Sequence, residues 1–255
     1  MVNPPPGKSN GRKETAQIVI LAGGLGTRLK RVTRGIPKPM VPVLDRPFLE
    51  YQFAWLKKTG FNRFLLLVGH LSDQIRNYFG DGKERGLSIR YSCESSPMGT
   101  AGALKLAEPL IEESFLLLNG DSLLPVDYHL LIHRFKRIGC EAMVAAYDNR
   151  EKIAPNNLSL SRDRGWATRY RKTDSVGMTH MDAGVYVFQK RVLGRIPPNR
   201  PYSFENELLP ELAQEGVLAA YTTDIKCYDI GTPERLEVFE QAVASNLIRL
   251  KGVEP

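Results

Sequence analysis

Between Gln17 and Ala146 short apolar runs alternate with longer segments at helical spacing, and this alternation limits the fold more than any other feature. Gln17 to Leu21 (QIVIL), Phe64 to Val68 (FLLLV), Leu87 to Cys93, Phe115 to Leu118 and Ala142 to Ala146 read as strands. Pro47 to Thr59, Leu71 to Phe79, Thr100 to Ala107 and Tyr128 to Ile138 read as helices. Pro47 suits a first turn, and Gly60, Gly80 and Gly139 suit C-caps. The pattern predicts an α/β chain with a doubly wound parallel sheet and helices on both faces. Ligands of such sheets bind at the carboxyl ends of the strands. The glycine loop after Leu21 and Asp121 after Leu118 both fall at such ends, so one cleft is expected to hold them.

The second half changes character. Asn157 to Ser161, Trp166 to Arg171 and Met181 to Phe188 read as strands joined by charged turns, and Glu205 to Ala213 and Pro233 to Asn246 as helices. A mixed sheet extension covering the cleft is expected. Residues 1–16, polar and carrying Pro4-Pro5-Pro6, read as a disordered tail, and residues 17–250 as a single domain. No apolar run approaches the roughly 18 residues that span a bilayer, and the N-terminus lacks the apolar core of a signal peptide. The expectation is a cytoplasmic protein without a membrane partner. Cys93, Cys140 and Cys227 lie far apart and form no CxxC pair, which points to reduced thiols. The net charge of +7 favours anionic partners without choosing among them. The basic surface lacks the interleaved aromatics or helix-turn-helix signal of a nucleic-acid binder.

Leu21-Ala22-Gly23-Gly24-Leu25-Gly26-Thr27-Arg28-Leu29 follows the first strand, and Pro37-Lys38-Pro39-Met40 comes after it. Glycines let backbone N–H groups approach and cradle phosphate. Arg28 adds a planar charged fork, and Lys38 adds another cation. A P-loop is excluded, because Gly82-Lys83 is followed by Glu84. A dinucleotide fingerprint is excluded as well: Leu29 stands where the third glycine belongs.

The runs LAGGLGTRL, PKPM, GHLSDQI, ESSPMGTAGAL, NGD, MDAGVYVF and YDIGTPE, in this order, resemble the sugar-nucleotide pyrophosphorylases, the sugar-1-phosphate nucleotidyltransferases that make NDP-sugars. The resemblance covers residues 17–246. It implies the Rossmann-like nucleotide-diphospho-sugar transferase fold, a nucleoside triphosphate and a sugar 1-phosphate as partners, and Mg²⁺ as cofactor. It implies catalytic roles for Arg28, Lys38 and Lys172. Leu21, Ala22, Gly23, Gly24, Gly26, Thr27, Met98, Gly99, Thr100, Gly102 and Asn119 match nucleotide-binding positions. Arg171, Lys172, Asp182, Gly184 and Glu205 match the sugar-phosphate side, and Asp121 and Asp229 match the two metal ligands. The chain departs from the family where Arg171, rather than glutamate, precedes Lys172, and where Asp182 replaces a common asparagine.

The physics agrees with that resemblance. A sugar phosphate is largely a dianion at neutral pH and needs no general base. Catalysis then rests on alignment and on neutralising charge at the α-phosphorus, which calls for cations and a metal held by one or two carboxylates. Within the family, the compact length and the DAGVYVF and YSFENELLP runs look closest to the D-glycero-D-manno-heptose 1-phosphate guanylyltransferases, with GTP as donor. Mannose-1-phosphate guanylyltransferases and N-acetylmuramate- or hexose-1-phosphate uridylyltransferases are the rivals. A nucleotide-sugar-binding regulatory subunit is the alternative outside catalysis, and a homodimer is left open. His129 and His133 share a helix face that reads as packed or solvated rather than metal-binding.

Overall fold

The computed structural model describes residues 16–24, 35–172 and 176–248. Gly26, Thr27 and Arg28 lie outside the described residues, as do residues 1–15 and 249–250. Ala16, expected in the tail, packs against the core.

In chain order the strands are β1 Gln17–Leu21, β2 Pro42–Val43, β3 Arg46–Pro47, β4 Arg63–Val68, β5 Ser88–Cys93, β6 Ser114–Asn119, β7 Ser122–Leu123, β8 Ala142–Tyr147, β9 Leu158–Leu160, β10 Ala167–Tyr170, β11 Met181–Gln189, β12 Leu218–Thr223 and β13 Tyr228–Asp229. The helices are α1 Phe48–Lys58, α2 Ser72–Phe79, α3 Gly99–Leu106, α4 Tyr128–Ile138, α5 Leu209–Gln214 and α6 Pro233–Ala244. Pro47 caps α1 from just outside its first turn. The helix expected from Glu205 begins instead as a π-helical turn, Phe204–Leu208, that leads into α5.

Seven strands form the main sheet in the order β12-β8-β11-β6-β1-β4-β5. Strands β6, β1, β4 and β5 are parallel neighbours. β11 runs antiparallel between β6 and β8. The mixed part is therefore largely interior to the sheet, and the β9–β10 hairpin is what remains outside it. The reason lies in β11 itself: Ala183 through Phe188 are all buried, so the strand is apolar on both faces and belongs in the interior. β12, parallel to β8, carries no clear strand signal in sequence. Its alanines, Ala219 and Ala220, are weak strand formers that pairing and burial override.

Strand alternation divides the core. Ile18, Ile20, Leu66 and Val68 pack with Leu49 and Phe53 of α1, Ile75 of α2 and Leu131 of α4. Val19, Leu65 and Leu67 face the other way, onto Ala101 and Leu104 of α3 and Leu209 and Leu212 of α5. A third cluster seats α6 on α1, where Phe239 lies 4.9 Å from Phe48 and 5.7 Å from Tyr51 between ring centroids.

In-register pairing brings the strand ends level. Leu21 is opposite Leu67 on one side and Asn119 on the other. Gly120 N then donates to Leu21 O at 2.9 Å. A Cβ on Gly120 would stand 2.5 Å from that oxygen and 3.3 Å from Pro39 Cγ. Only glycine lets the chain leave β6 this close to β1. Gly120→Ala should therefore cost about 2–3 kcal/mol of stability. Urea denaturation measures it, and a change within about 0.5 kcal/mol would contradict the crowding argument.

Candidate active site

The chain turns straight from β6 into β7, which pairs antiparallel with β13 so that Ser122 faces Asp229. Ile230 N also donates to Asp121 O at 3.0 Å. Two carboxylates distant in sequence thus become neighbours on a two-strand ladder. Gln52 of α1, fully buried, clamps the turn: its Nε2 donates to Asn119 O at 2.8 Å and to Ser122 O.

Each aspartate has a cation. Lys38 is the middle residue of the PKP turn, whose buried Pro39 faces Gly120, and its Nζ is ion-paired to Asp121 Oδ2. Burial alone would raise the Asp121 carboxyl. The Lys38 ammonium, aided by Ser122 Oγ at 3.1 Å, overrides it and holds the carboxyl below the ordinary range. Arg235 of α6 sets Nη1 3.0 Å from both oxygens of Asp229, and Gly231 N donates to its Oδ1 at 2.7 Å.

Ala22, Gly23 and Gly24 leave β1 at this same edge. Ala22 N donates to Leu67 O at 2.8 Å, and a Cβ on Gly23 would sit 3.1 Å from Gly69 N. Glu94 completes the wall. Its Oε2 accepts from Met98 N at 3.0 Å, and its Oε1 lies so near Gly69 that a Cβ there would approach it to 2.6 Å. Burial raises this carboxyl.

Beyond Met98 the glycines serve packing. A Cβ on Gly99, where φ is +71°, would meet Tyr202 O at 2.6 Å. Ala101 N and Gly102 N both donate to that oxygen, at 3.0 and 3.2 Å. These amides at the start of α3 are already engaged. Thr100 Oγ1 accepts from Phe204 N at 2.9 Å and donates to Glu205 Oε2 at 3.1 Å. Glu205 Oε2 lies 3.6 Å from Lys172 Nζ. Arg171 is exposed and ties to the site through its backbone N–H, which donates to Asn157 O at 3.0 Å.

Asp182 stands at a bulge in β11, where the register with β8 shifts and Gly184 adopts φ +70°. Gly184 lies against Asn119, since a Cβ there would meet Asn119 Nδ2 at 2.9 Å. The bulge therefore joins the Asp182 side of the cleft to the aspartate ladder. Tyr186 and Tyr170 hydroxyls donate to Asp182 Oδ2 at 2.6 and 2.9 Å, and Gly184 N donates to Oδ1 at 2.8 Å. Burial outweighs these bonds and pushes the carboxyl up to about 6.

The structure thus gathers Leu21, Ala22, Gly23, Gly24, Lys38, Asn119, Asp121 and Asp229 at one sheet edge, with Gly184 and Asp182 adjoining through the bulge. Thr100, Lys172 and Glu205 form a linked group, and Gly99 and Gly102 pack behind it. Sequence reasoning missed Gln52, Glu94 and Arg235. A polar residue amid the apolar face of α1 is the signal for Gln52. Glu94 and Arg235 carry no comparable signal. His129 packs as expected: it stacks on Phe61 at 4.5 Å and contacts Thr59 O at 2.7 Å.

The nucleotidyl transferase family model matches residues 17–154. The chain belongs to this family. It is an enzyme of the sugar-1-phosphate nucleotidyltransferase class. It is 34% identical over 222 residues to D-glycero-alpha-D-manno-heptose 1-phosphate guanylyltransferase of Campylobacter jejuni, covering 86% of this chain and 96% of that one. It is 33% identical over 221 residues to the catalytic subunit beta of mannose-1-phosphate guanylyltransferase from Xenopus tropicalis, covering 85% of this chain. The chain spans 61% of that relative's length, and 66% of a Synechocystis UTP–glucose-1-phosphate uridylyltransferase to which it is 28% identical. Crystal structures of HddC from Yersinia pseudotuberculosis, alone and complexed with GMP-PN, superpose with a TM-score of 0.76 at 29% identity, covering 89% of this chain and 99% of that one. No helix among the described residues is long and apolar enough to cross a membrane.

The Asp182 environment has a pH signature. Its folded carboxyl titrates near 6, against an ordinary value of 3.8, so the unfolded chain gives up this proton first. Stability from this group is therefore full below about pH 4 and lost as pH rises to about 6. Asp182→Asn removes the loss. The stability of the variant relative to wild type should rise by roughly 1–3 kcal/mol between pH 4 and pH 7 in urea denaturation. A difference that stays constant over that interval would refute the assignment.

Proposed function

We propose that this chain transfers a guanylyl group from GTP to a manno-configured sugar 1-phosphate, with D-glycero-D-manno-heptose 1-phosphate as the leading substrate, and releases pyrophosphate. The observation that carries the reaction is the convergence of the glycine loop's first residues, Lys38, Asp121 and Asp229 at one sheet edge.

Two carboxylates beside a phosphate loop suit Mg²⁺, which takes one or two protein carboxylates together with substrate phosphates. Asp121 and Asp229 would hold it. When bound, the ion supplies charge neutralisation of the triphosphate. The rest falls to the chain. A sugar phosphate oxygen attacks the α-phosphorus, a new P–O bond forms, and the bond to the β-phosphate oxygen breaks with pyrophosphate as leaving group. Lys38 exchanges Asp121 for the phosphate under attack. Lys172 holds the sugar phosphate, while Glu205 and Asp182 offer acceptors to sugar hydroxyls. Gly26, Thr27 and Arg28 take the triphosphate in this reading, on the strength of the sequence.

Glu94 supports guanine. Its carboxylate lies against the backbone at Gly23 and Gly69, beside the loop. The Watson–Crick edge of guanine presents adjacent N–H donors to a carboxylate, whereas uracil and thymine flank one donor with two carbonyls that a carboxylate repels. The guanylyltransferases among the relatives and the GMP-PN complex of HddC agree with that choice. The names of the heptose and mannose relatives share the manno sugar, which supports that configuration.

The test is a pyrophosphate-release matrix of GTP, UTP, dTTP and ATP against heptose, mannose, glucose and N-acetylmuramate 1-phosphates. GTP with heptose 1-phosphate should give the highest kcat/KM; a preference for UTP or for glucose 1-phosphate would overturn the substrate assignment. Glu94→Gln should lower kcat/KM for GTP by about 10–100-fold and narrow its advantage over UTP. An unchanged ratio would remove Glu94 from base selection. Asp121→Asn should reduce turnover by about a hundredfold or more while the protein stays folded. Near-normal Mg²⁺-dependent rates would take Asp121 out of the mechanism.

A further inference from the structure

Among the described residues Lys38 and Arg235 grip the aspartate pair, and no step of the reaction uses Arg235. It rises from the first turn of α6, after Thr232 caps the helix, and reaches back to straddle Asp229 with one nitrogen 3.0 Å from each oxygen. The contact is built in. A Cβ on Gly231 would stand 2.7 Å from Asp229 Oδ1 and 3.4 Å from Arg235 Nη1, so glycine there makes room for the carboxylate to fold back toward the guanidinium. Both side chains are mostly shielded, at 18% exposure for Asp229 and 32% for Arg235. Arg235 also borders an open cleft of about 470 Å³ with Asn149, Lys152 and Asn156, which leaves the guanidinium space to move aside.

Asp121 is covered in the same way by Lys38. The two covers differ in what can lift them. An arriving triphosphate attracts Lys38 directly. Arg235 belongs to the first turn of α6 rather than to the phosphate loop. A divalent ion approaching Asp229 alone meets a guanidinium already bonded to both oxygens, and the two positive charges repel. An ion that arrives on a triphosphate brings compensating negative charge.

We propose that Arg235 is a positioning residue that latches Asp229. It aims and neutralises the carboxylate in the free enzyme, so that the metal loads with the nucleotide rather than before it. The inference rests on the proposed role of Asp229 as a metal ligand.

The experiment is Mn²⁺ titration of the full chain by electron paramagnetic resonance, with and without GTP. Wild type should bind Mn²⁺ weakly alone and tightly with GTP. Arg235→Met should tighten binding to the nucleotide-free protein by about tenfold and change binding with GTP far less. Arg235→Lys, which keeps the charge, should behave as wild type, and Arg235→Gln serves as a second neutral variant if Arg235→Met does not fold. Neutral variants that bind Mn²⁺ alone no better than wild type, while wild type still binds it with GTP, would overturn the latch and leave the metal assignment standing. Failure of wild type to bind Mn²⁺ even with GTP, or full binding by Asp229→Asn, would overturn the metal assignment and the latch with it.

Discussion

The two-residue ladder between β7 and β13 is the contact on which the rest of this site depends. It places Asp229, from the end of the chain, opposite Ser122 and so beside Asp121, from its middle. Neither strand is long enough to stand alone, and each is pinned by something larger. β7 is clamped by Gln52 from α1 and enters directly from β6, whereas β13 leads into α6, which is seated on α1 through Phe239. Helix α1 therefore holds both halves of the ladder. A helix outside the ladder thus sets how the two aspartates stand to each other.

Electrostatics then makes the arrangement stable without ligand. Two carboxylates on neighbouring strands repel, and a buried carboxylate without a partner is costly. Lys38 and Arg235 remove both problems by taking one aspartate each. Cys227 shows how closely the acids converge: burial raises its thiol first, and Asp229, Asp182 and Asp121 all raise it further. The site is thus poised, with acids and bases matched in pairs that a phosphate-bearing substrate can rearrange.

Much of this was legible in the sequence. The strands β1, β4 and β6 are continuous apolar runs, and each ends in the residues that meet at the cleft. Asp121 could be placed there because strand ends collect in a parallel sheet, whereas Asp229 was legible only through the family resemblance. The position of β11 was harder to read. It was read as part of a mixed extension covering the cleft, although its unbroken apolar stretch from Ala183 to Phe188 marks a strand interior to the main sheet. β12 was missed because alanines signal burial without signalling extension. Glu94 and Arg235 were invisible for another reason. Their roles come from contacts made across a turn or a loop, to Gly69 and Asp229, and no spacing rule reports such contacts before the fold exists.

The two departures from the family pattern become one coherent change in the structure. Where a glutamate usually precedes Lys172 stands Arg171, which is exposed. Lys172 still has a carboxylate near it, because Glu205 reaches it from the π-helical turn and is fixed there by Thr100. Ser203 secures that turn in turn, as its hydroxyl accepts from Asn206 N at 3.1 Å. A second acid, Asp182, occupies the place of an asparagine and is held by two tyrosine hydroxyls, so its oxygens are oriented even though burial disfavours its charge. The acid absent at position 171 is thus offset by acids delivered from β11 and from the turn before α5. Lys172 keeps a counter-charge, and the carboxylates of this part of the cleft come from a different wall. In the proposed reaction the chemistry at phosphorus draws on Lys38 and the aspartate ladder, which these two changes leave in place. The polar groups proposed to meet the sugar ring are what differ.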